Sequence, residues 1–206
     1  MNLQLFADFL SIITITMCFV LKVPQIFNLI NVKSAAGISI LGLLLELTSY
    51  TVMTGYNYTN GYSLLSYLEY PVILLQEFVL IFLVLKYLNQ INRTFVILAV
   101  LYFTLCTCLL LQIFPKVIFT YLAPMCTPIS ASSKVVQLLA IIRARNAESV
   151  SVLTWLISTF TNLTRVFTIW MDSADLLLLG NFIISVALSS SIMFSAMYYK
   201  RRVKQE

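Results

Sequence analysis

Long apolar runs alternate with short polar segments along the whole chain. The apolar runs cover, in approximate numbers, residues 6–29, 38–56, 64–88, 94–113, 117–142, 150–170 and 176–198. Each run is close to the roughly 20 residues with which an α-helix crosses a hydrocarbon core of about 30 Å. The pattern therefore predicts an all-α integral membrane protein with seven transmembrane helices.

Composition agrees with this prediction and argues against a soluble enzyme. Hydrophobic residues make up 60% of the 206 residues and charged residues only 10%, and the mean hydropathy is +0.94. Soluble domains are about a quarter charged. The net charge of +5 arises from basic residues between the apolar runs and in the tail, residues 200–206. We therefore expect the lipid bilayer, and not nucleic acid, as the main partner.

Residue groupings typical of a metal or catalytic centre are missing from the sequence. The four cysteines all lie in apolar runs without metal-ligand spacing, and the chain has no histidine. Neither a phosphate-binding glycine loop nor a nucleophile elbow occurs in the sequence. We accordingly predict no catalytic residue, no metal site and no cofactor.

Basic residues are distributed unequally between the two predicted faces of the membrane. With seven spans the termini lie on opposite sides, and the positive-inside rule predicts a cytosolic C-terminus and a lumenal N-terminus. The lumenal face then holds a single cation, Lys116. The cytosolic face holds nine, namely Lys33, Lys86, Arg93, Arg143, Arg145, Lys200, Arg201, Arg202 and Lys204.

An internal repeat relates the two halves of the chain. When the sequence is shifted by 112 residues, Lys22 meets Lys134 and Gln25 meets Gln137. The same shift also pairs Lys33 with Arg145, Ala35 with Ala147, Ile38 with Val150, Ser39 with Ser151 and Leu41 with Leu153. It carries the first span onto the fifth, so the fourth span inverts the chain. We predict two parallel three-helix repeats (3+1+3), an arrangement found in the sugar-transporting SWEET proteins. The predicted units are residues 1–90, 91–115 and 116–199, followed by the basic tail 200–206.

Several motifs resemble those of a known family. Pro24-Gln25 is followed by a short basic loop and Gly37-Ile38-Ser39, and the second copy keeps Gln137 but has Val136 in place of the proline. The other matching segments are Ser132-Ser133-Lys134, Leu44-Leu45-Glu46-Leu47, Tyr67-Leu68-Glu69-Tyr70-Pro71 and residues 149–155. Over nearly its full length the chain resembles the PQ-loop repeat proteins of the solute carrier 66 family, which group with the mannose-phosphate-dolichol utilisation proteins.

This resemblance implies a seven-helix bundle in an intracellular membrane, either the endoplasmic reticulum or the lysosome. It also implies two classes of function. Some relatives export cystine or cationic amino acids. They imply an alternating-access transporter of an amino acid or a sugar-like solute, with or without proton coupling. The dolichol-utilisation relatives imply instead an accessory protein for lipid-linked mannose use or for a partner membrane protein. The solute and the oligomeric state do not follow from the resemblance.

Pro24, Gln25 and Gln137 are the predicted hinge residues. Proline inside a helical span removes a backbone hydrogen bond and clashes with the preceding turn, so Pro24 is expected to kink its helix. A kink can act as a hinge for alternating access, with Gln25 lining the path or bonding the broken backbone. A static kink that only shapes packing is the alternative.

Charged and hydroxyl residues inside the spans are the candidates for a substrate or proton path. They are Lys22, Glu46, Glu69, Glu77, Lys134, Ser130 and Ser133. A charge at the bilayer centre costs roughly 2.5–3.5 kcal/mol, so such residues normally face the bundle interior and have partners. The glutamates suit either proton coupling or ion pairs with the lysines. The lysines suit an anionic ligand or snorkelling to the interface, and the serines suit a solute path or close helix packing.

Overall fold

The structure, a computed structural model, describes residues 2–61, 68–113, 115–172 and 176–203. These residues form nine α-helices and one 3₁₀ helix, Ala123–Met125, and the described ranges contain no β-strand, which confirms the all-α fold. The helices are α1 Asn2–Cys18, α2 Val23–Val32, α3 Ile40–Thr59, α4 Glu69–Tyr87, α5 Arg93–Leu110, α6 Lys116–Leu122, α7 Cys126–Ala144, α8 Val152–Asp172 and α9 Leu176–Val203.

Each predicted apolar run coincides with one helix or with one interrupted helix. Helices α1 and α2 share the first run, and α6, the 3₁₀ helix and α7 share the fifth. Four segments are long and apolar enough to span a membrane, namely Ile12–Val32, Glu69–Tyr87, Lys116–Ala144 and Leu179–Arg201, and Arg93–Leu109 is a shorter apolar helix. Seven complete crossings stay a prediction. The predicted break at Phe114 and the tail end, residues 204–206, lie outside the described residues.

Equivalent helices begin and end in the same way in the two parts of the chain. Ser39 precedes α3 and its Oγ accepts a hydrogen bond from Gly42 N at 3.0 Å, while Ser151 Oγ accepts one from Thr154 N at 3.2 Å before α8. Helices α2 and α7 both end at a left-handed residue, Lys33 with φ 53° and Arg145 with φ 49°. Such serine caps and left-handed ends satisfy the free backbone groups of helix termini.

The first span is interrupted beside Pro24. Residues 19–22 form turns between α1 and α2, and Pro24 lies in the first turn of α2, where a missing N–H is tolerated. Gln76 of α4 crosses the interruption: its Oε1 accepts from Lys22 N at 2.8 Å and its Nε2 donates to Phe19 O at 2.9 Å. The predicted kink is therefore an interruption of the α-helix by i→i−3 turns, and a neighbouring helix binds two of its backbone groups.

The helices form two groups, which we call the first group (α1–α4) and the second group (α6–α9). In the first group α2 and α3 pack against α4, and in the second α7 and α8 pack against α9. Between the groups, α1 packs against α8 and α3 against α7. Helices α2, α3 and α4 of the first group are therefore arranged like α7, α8 and α9 of the second. Assignment of the chain to a 3+1+3 repeat across a bilayer stays a prediction.

The apolar cores of the two groups use equivalent positions. One core cluster contains Leu29, Ala35, Leu80 and Val84, and another contains Ile141, Ala147, Ile192 and Ala196. Each residue of the first set lies 112 positions before its counterpart in the second. The offset read from the PQ-loop segments therefore extends into α4 and α9.

Candidate functional site

A small cavity lies between the two helix groups. Its volume is about 20 Å³, which is room for a water molecule and not for a larger solute. Polar side chains from both groups line it, among them Lys22, Gln25, Glu46, Ser133, Gln137 and Thr154. Five of these six were predicted from the sequence, and Thr154 was not.

Two glutamates share Lys22, which lines this cavity; Glu46 lines it as well, and Glu77 does not. Lys22 Nζ is in direct contact with Glu46 Oε2 and lies 3.0 Å from Glu77 Oε2. The Glu77 side chain is fully buried, and its Oε1 has no hydrogen-bond partner among the described residues. Glu46 also reaches the second group, because its Oε1 accepts from Ser133 Oγ at 3.3 Å. The break between α1 and α2 places Lys22 where it can meet α3 and α4 together.

Lys134, the counterpart of Lys22, has different surroundings. It is only 8% exposed, and its Nζ donates to Ser185 Oγ of α9 at 3.2 Å. Among the described residues it forms no ion pair, whereas Lys22 forms two. The predicted symmetric pair of lysines is therefore symmetric in position and not in charge environment.

Two glutamines tie the groups together at the end of the bundle that carries the loops 33–39 and 145–151. Gln25 Nε2 donates to Ser149 O at 2.8 Å, and its Oε1 accepts from Ser151 N. Gln137 Nε2 donates to Gly37 O at 2.7 Å, and its Oε1 accepts from Ser39 N at 2.8 Å. We call these four hydrogen bonds the glutamine clamp. Each glutamine binds the loop of the opposite group.

The two loops are also packed directly against each other. Gly37 has φ 79°, and a Cβ at this position would lie 2.2 Å from Asn146 O. Asn28 Nδ2 donates to Glu148 O at 2.9 Å, and Ser149 Oγ donates to Ser34 O. The cavity is therefore closed at the loop end.

The remaining predicted residues lie away from the cavity. Glu69 of α4 binds Arg165 of α8, with Nη2 at 3.0 and 3.2 Å from the two carboxylate oxygens. Ser130 is half-buried, and its carbonyl accepts from Ser133 Oγ at 2.8 Å. Neither Glu69 nor Ser130 is among the described residues that line the cavity. Their predicted part in a solute path stays untested.

Sequence analysis missed Gln76 and Ser185, which bind the break at Pro24 and the Lys134 ammonium. A signal for both existed, because each is a polar residue inside an apolar run. Polar groups at such positions normally face the bundle interior and bond to neighbouring helices. The sequence indicates that these two residues face other helices, but it does not indicate which groups they bond.

Comparison with known proteins gives two matches to one family. The family model "PQ loop repeat" matches residues 6–66. The human protein "Solute carrier family 66 member 3" is 32% identical over 188 residues, which cover 91% of this chain and 91% of that protein. No solved structure matches the chain significantly. These matches confirm the resemblance and the integral membrane character, and the chain belongs to the solute carrier 66 family of PQ-loop repeat membrane proteins.

Proposed function

We propose that this protein is a small-solute transporter that works by alternating access, and not an enzyme. The glutamine clamp is the observation that supports the proposal: four reciprocal hydrogen bonds close one end of a polar cavity between two equivalent helix groups. All four can break without disturbing the hydrogen bonds inside any helix. A gate of this kind can open when a ligand favours the open state.

Movement of the groups requires a place where the chain can bend. The interruption at residues 19–22 is suited to this, because its backbone is bonded in i→i−3 turns and by the Gln76 side chain, and not by an unbroken α-helix. Pro24 prevents the closure of an unbroken helix across this point. We assign Pro24 the role of hinge, and Gln25 and Gln137 the role of gate.

Proton coupling would use the buried carboxylates. Glu77 has a single cationic neighbour among the described residues, Lys22, and Lys22 also pairs with Glu46. If the groups move so that Lys22 contacts only one of the two glutamates, the second glutamate has no counter-charge. Because that glutamate is buried, its protonated form is then favoured over its ionised form. We assign Glu77 as the proton carrier, because its Oε1 has no hydrogen-bond partner in the described structure.

The bilayer orientation is also part of the proposal. The loop 145–151 and the segment before it carry Arg143 and Arg145, and the loop 33–39 begins with Lys33. The positive-inside rule favours the cytosolic side for the glutamine clamp, and the family resemblance favours an intracellular membrane, the endoplasmic reticulum or the lysosome. Labelling of cysteines introduced at Gln90 and at Asn60 from each side of sealed vesicles tests this orientation.

Uptake by purified protein in liposomes tests the function. The assay imposes a pH gradient and offers panels of amino acids, organic acids and sugars. We expect saturable uptake that is lost in Glu77→Gln and altered in Gln25→Ala, with both variants at normal abundance. The control is Glu69→Gln, which changes a carboxylate that pairs with Arg165 and not with Lys22. Absence of flux from demonstrably folded protein contradicts the proposal, and lipid-linked mannose use in knockout cells then becomes the experiment.

A further inference from the structure

The two groups are equivalent in position but not in charge. The offset of 112 residues that relates Lys22 to Lys134 also relates Glu46 to Ser158 and Glu77 to Ser189. Glu77 and Ser189 are both fully buried, on α4 and α9. The two carboxylates that surround Lys22 thus have hydroxyl groups as their counterparts around Lys134.

These hydroxyl groups lie where α7, α8 and α9 meet. Lys134 of α7 donates to Ser185 Oγ of α9 at 3.2 Å, and Ser158 Oγ of α8 lies 3.2 Å from Ser189 Oγ of α9. Ser185 and Ser189 are four residues apart, so they lie one turn apart on the same face of α9. The Ser158–Ser189 pair is therefore about one helical turn from the Lys134 ammonium.

The Lys134 ammonium lacks a carboxylate partner. A lysine ammonium offers three donors, and Ser185 Oγ is the one hydrogen-bond acceptor recorded for it in the described part of the chain. Glu46 is within electrostatic reach of both lysines, but its Oε2 is in direct contact with Lys22. A buried cation without a direct counter-charge is costly. The first group supplies Glu46 and Glu77 as counter-charges for Lys22, and the second group supplies no carboxylate in direct contact with Lys134 among the described residues.

We propose that Lys134, Ser158, Ser185 and Ser189 bind the carboxylate group of an organic anion. The ligand carboxylate takes the place that Glu46 and Glu77 take around Lys22. A serine hydroxyl can donate to a bound carboxylate, whereas a glutamate at the same position would repel it. The proposal rests on the transport function proposed above and assigns its solute to the organic acids.

Thermal unfolding of the purified protein in detergent tests the site with acetate as the probe. Acetamide at the same concentration is the uncharged control of the same shape, and sodium chloride matches the ionic strength. We expect the Tm to rise with acetate concentration and not with acetamide, because a ligand that binds only the folded state stabilises it. In Lys134→Gln the apparent acetate affinity falls at least tenfold. An equal response to acetamide or chloride, or an unchanged response in Lys134→Gln, overturns the proposal.

Inorganic phosphate separates carboxylate recognition from the binding of any oxyanion. We expect a smaller Tm rise with phosphate than with acetate at equal concentration. A larger rise with phosphate, lost in Lys134→Gln, overturns the assignment to organic acids.

Restoring the missing carboxylate is the sharper test. Ser189→Glu supplies a side chain of the kind that Lys22 receives from Glu77, so the acetate response disappears and the Tm without acetate rises. Ser189→Gln fills the same space without the charge, so it also loses the acetate response but does not raise the Tm without acetate. If Ser189→Glu does not fold, Ser158→Glu makes the same test from α8. A folded glutamate variant that responds to acetate like the unmodified protein contradicts the site.

Failure of this site and failure of transport can be told apart. Acetate binding that depends on Lys134, together with no flux in liposomes, supports the site and contradicts transport. Saturable flux of uncharged or cationic solutes that is unchanged in Lys134→Gln supports transport and overturns the anion site.

Discussion

Gln25 and Gln137 occupy the same position in the two helix groups, and each binds the backbone of the opposite group. Gln25 Nε2 lies 2.8 Å from Ser149 O, and Gln137 Nε2 lies 2.7 Å from Gly37 O. The two acceptors are themselves 112 residues apart, as are the two glutamines. The contact is therefore reciprocal, and the loss of proline before Gln137 has not removed it.

Replacement of either glutamine by alanine is expected to destabilise the protein to a similar extent. Each substitution removes two hydrogen bonds to buried backbone groups, which should lower the free energy of unfolding by about 2–4 kcal/mol. SDS titration in mixed micelles measures this change. Gln90→Ala is the control, because Gln90 is exposed and its replacement should change stability by less than about 0.5 kcal/mol. A large effect of Gln25→Ala with none for Gln137→Ala would contradict the reciprocal clamp.

Gly37 and Gly61 form a matched pair for testing the contact between the loops. Both have positive φ, 79° and 72°, but a Cβ on Gly37 meets Asn146 O at 2.2 Å, while one on Gly61 meets nothing within 4 Å in the part of the chain that the structure describes. Gly61→Ala should cost about 1–2 kcal/mol for the left-handed backbone alone. Gly37→Ala should cost at least twice as much, because the loops must also separate. Equal losses of unfolding free energy in the same titration would show that the loops are not in contact.

Neutralising the two equivalent lysines is expected to give different results. Lys22→Gln leaves Glu46 and Glu77 without their shared cation, and breaking a buried ion pair from one side costs about 3–5 kcal/mol. Lys134→Gln removes a cation that has no carboxylate partner among the described residues, so its cost should be below about 1 kcal/mol. Tm values of the two variants without added ligand make the comparison. Equal destabilisation would indicate that Lys134 has a counter-charge of its own.

Gln76 is expected to be as important for stability as the PQ-loop glutamines. In Gln76→Met the side chain keeps its approximate size but loses its bonds to Lys22 N and Phe19 O, at 2.8 and 2.9 Å. We expect a loss of about 2–4 kcal/mol and faster amide hydrogen exchange at residues 19–22. Gln112→Met, at an exposed position, is the control. Unchanged exchange in Gln76→Met would mean that the broken helix is held in another way.

The helices were predictable because their determinants are local. Apolar runs of membrane-spanning length gave the helix positions to within a few residues. The repeat offset followed from residue identities alone. The sequence did not show that four residues of turn precede Pro24, because Gln76, which binds this segment, comes from a different helix.

The partners of the buried charges could be predicted only as alternatives. Sequence analysis left each glutamate a choice between Lys22 and Lys134, and the structure pairs both Glu46 and Glu77 with Lys22. The choice depends on how α3 and α4 are rotated about their axes and on the position of the break before α2. Hydropathy patterns do not fix these quantities. The same limit explains why Ser130 and Ser133, three residues apart, were equal candidates although only Ser133 lines the cavity.

Contacts of another kind hold the groups together at the end opposite the loops. Thr14 Oγ1 lies 2.7 Å from Thr164 Oγ1, Ser49 Oγ donates to Cys126 O at 3.4 Å, and the ion pair of Glu69 with Arg165 joins α4 to α8 there. The glutamine clamp, in contrast, contains no charged group. Attraction between partly exposed charges falls as ionic strength rises, whereas a hydrogen bond between neutral groups changes little. Added salt therefore weakens the end opposite the loops and leaves the loop end shut.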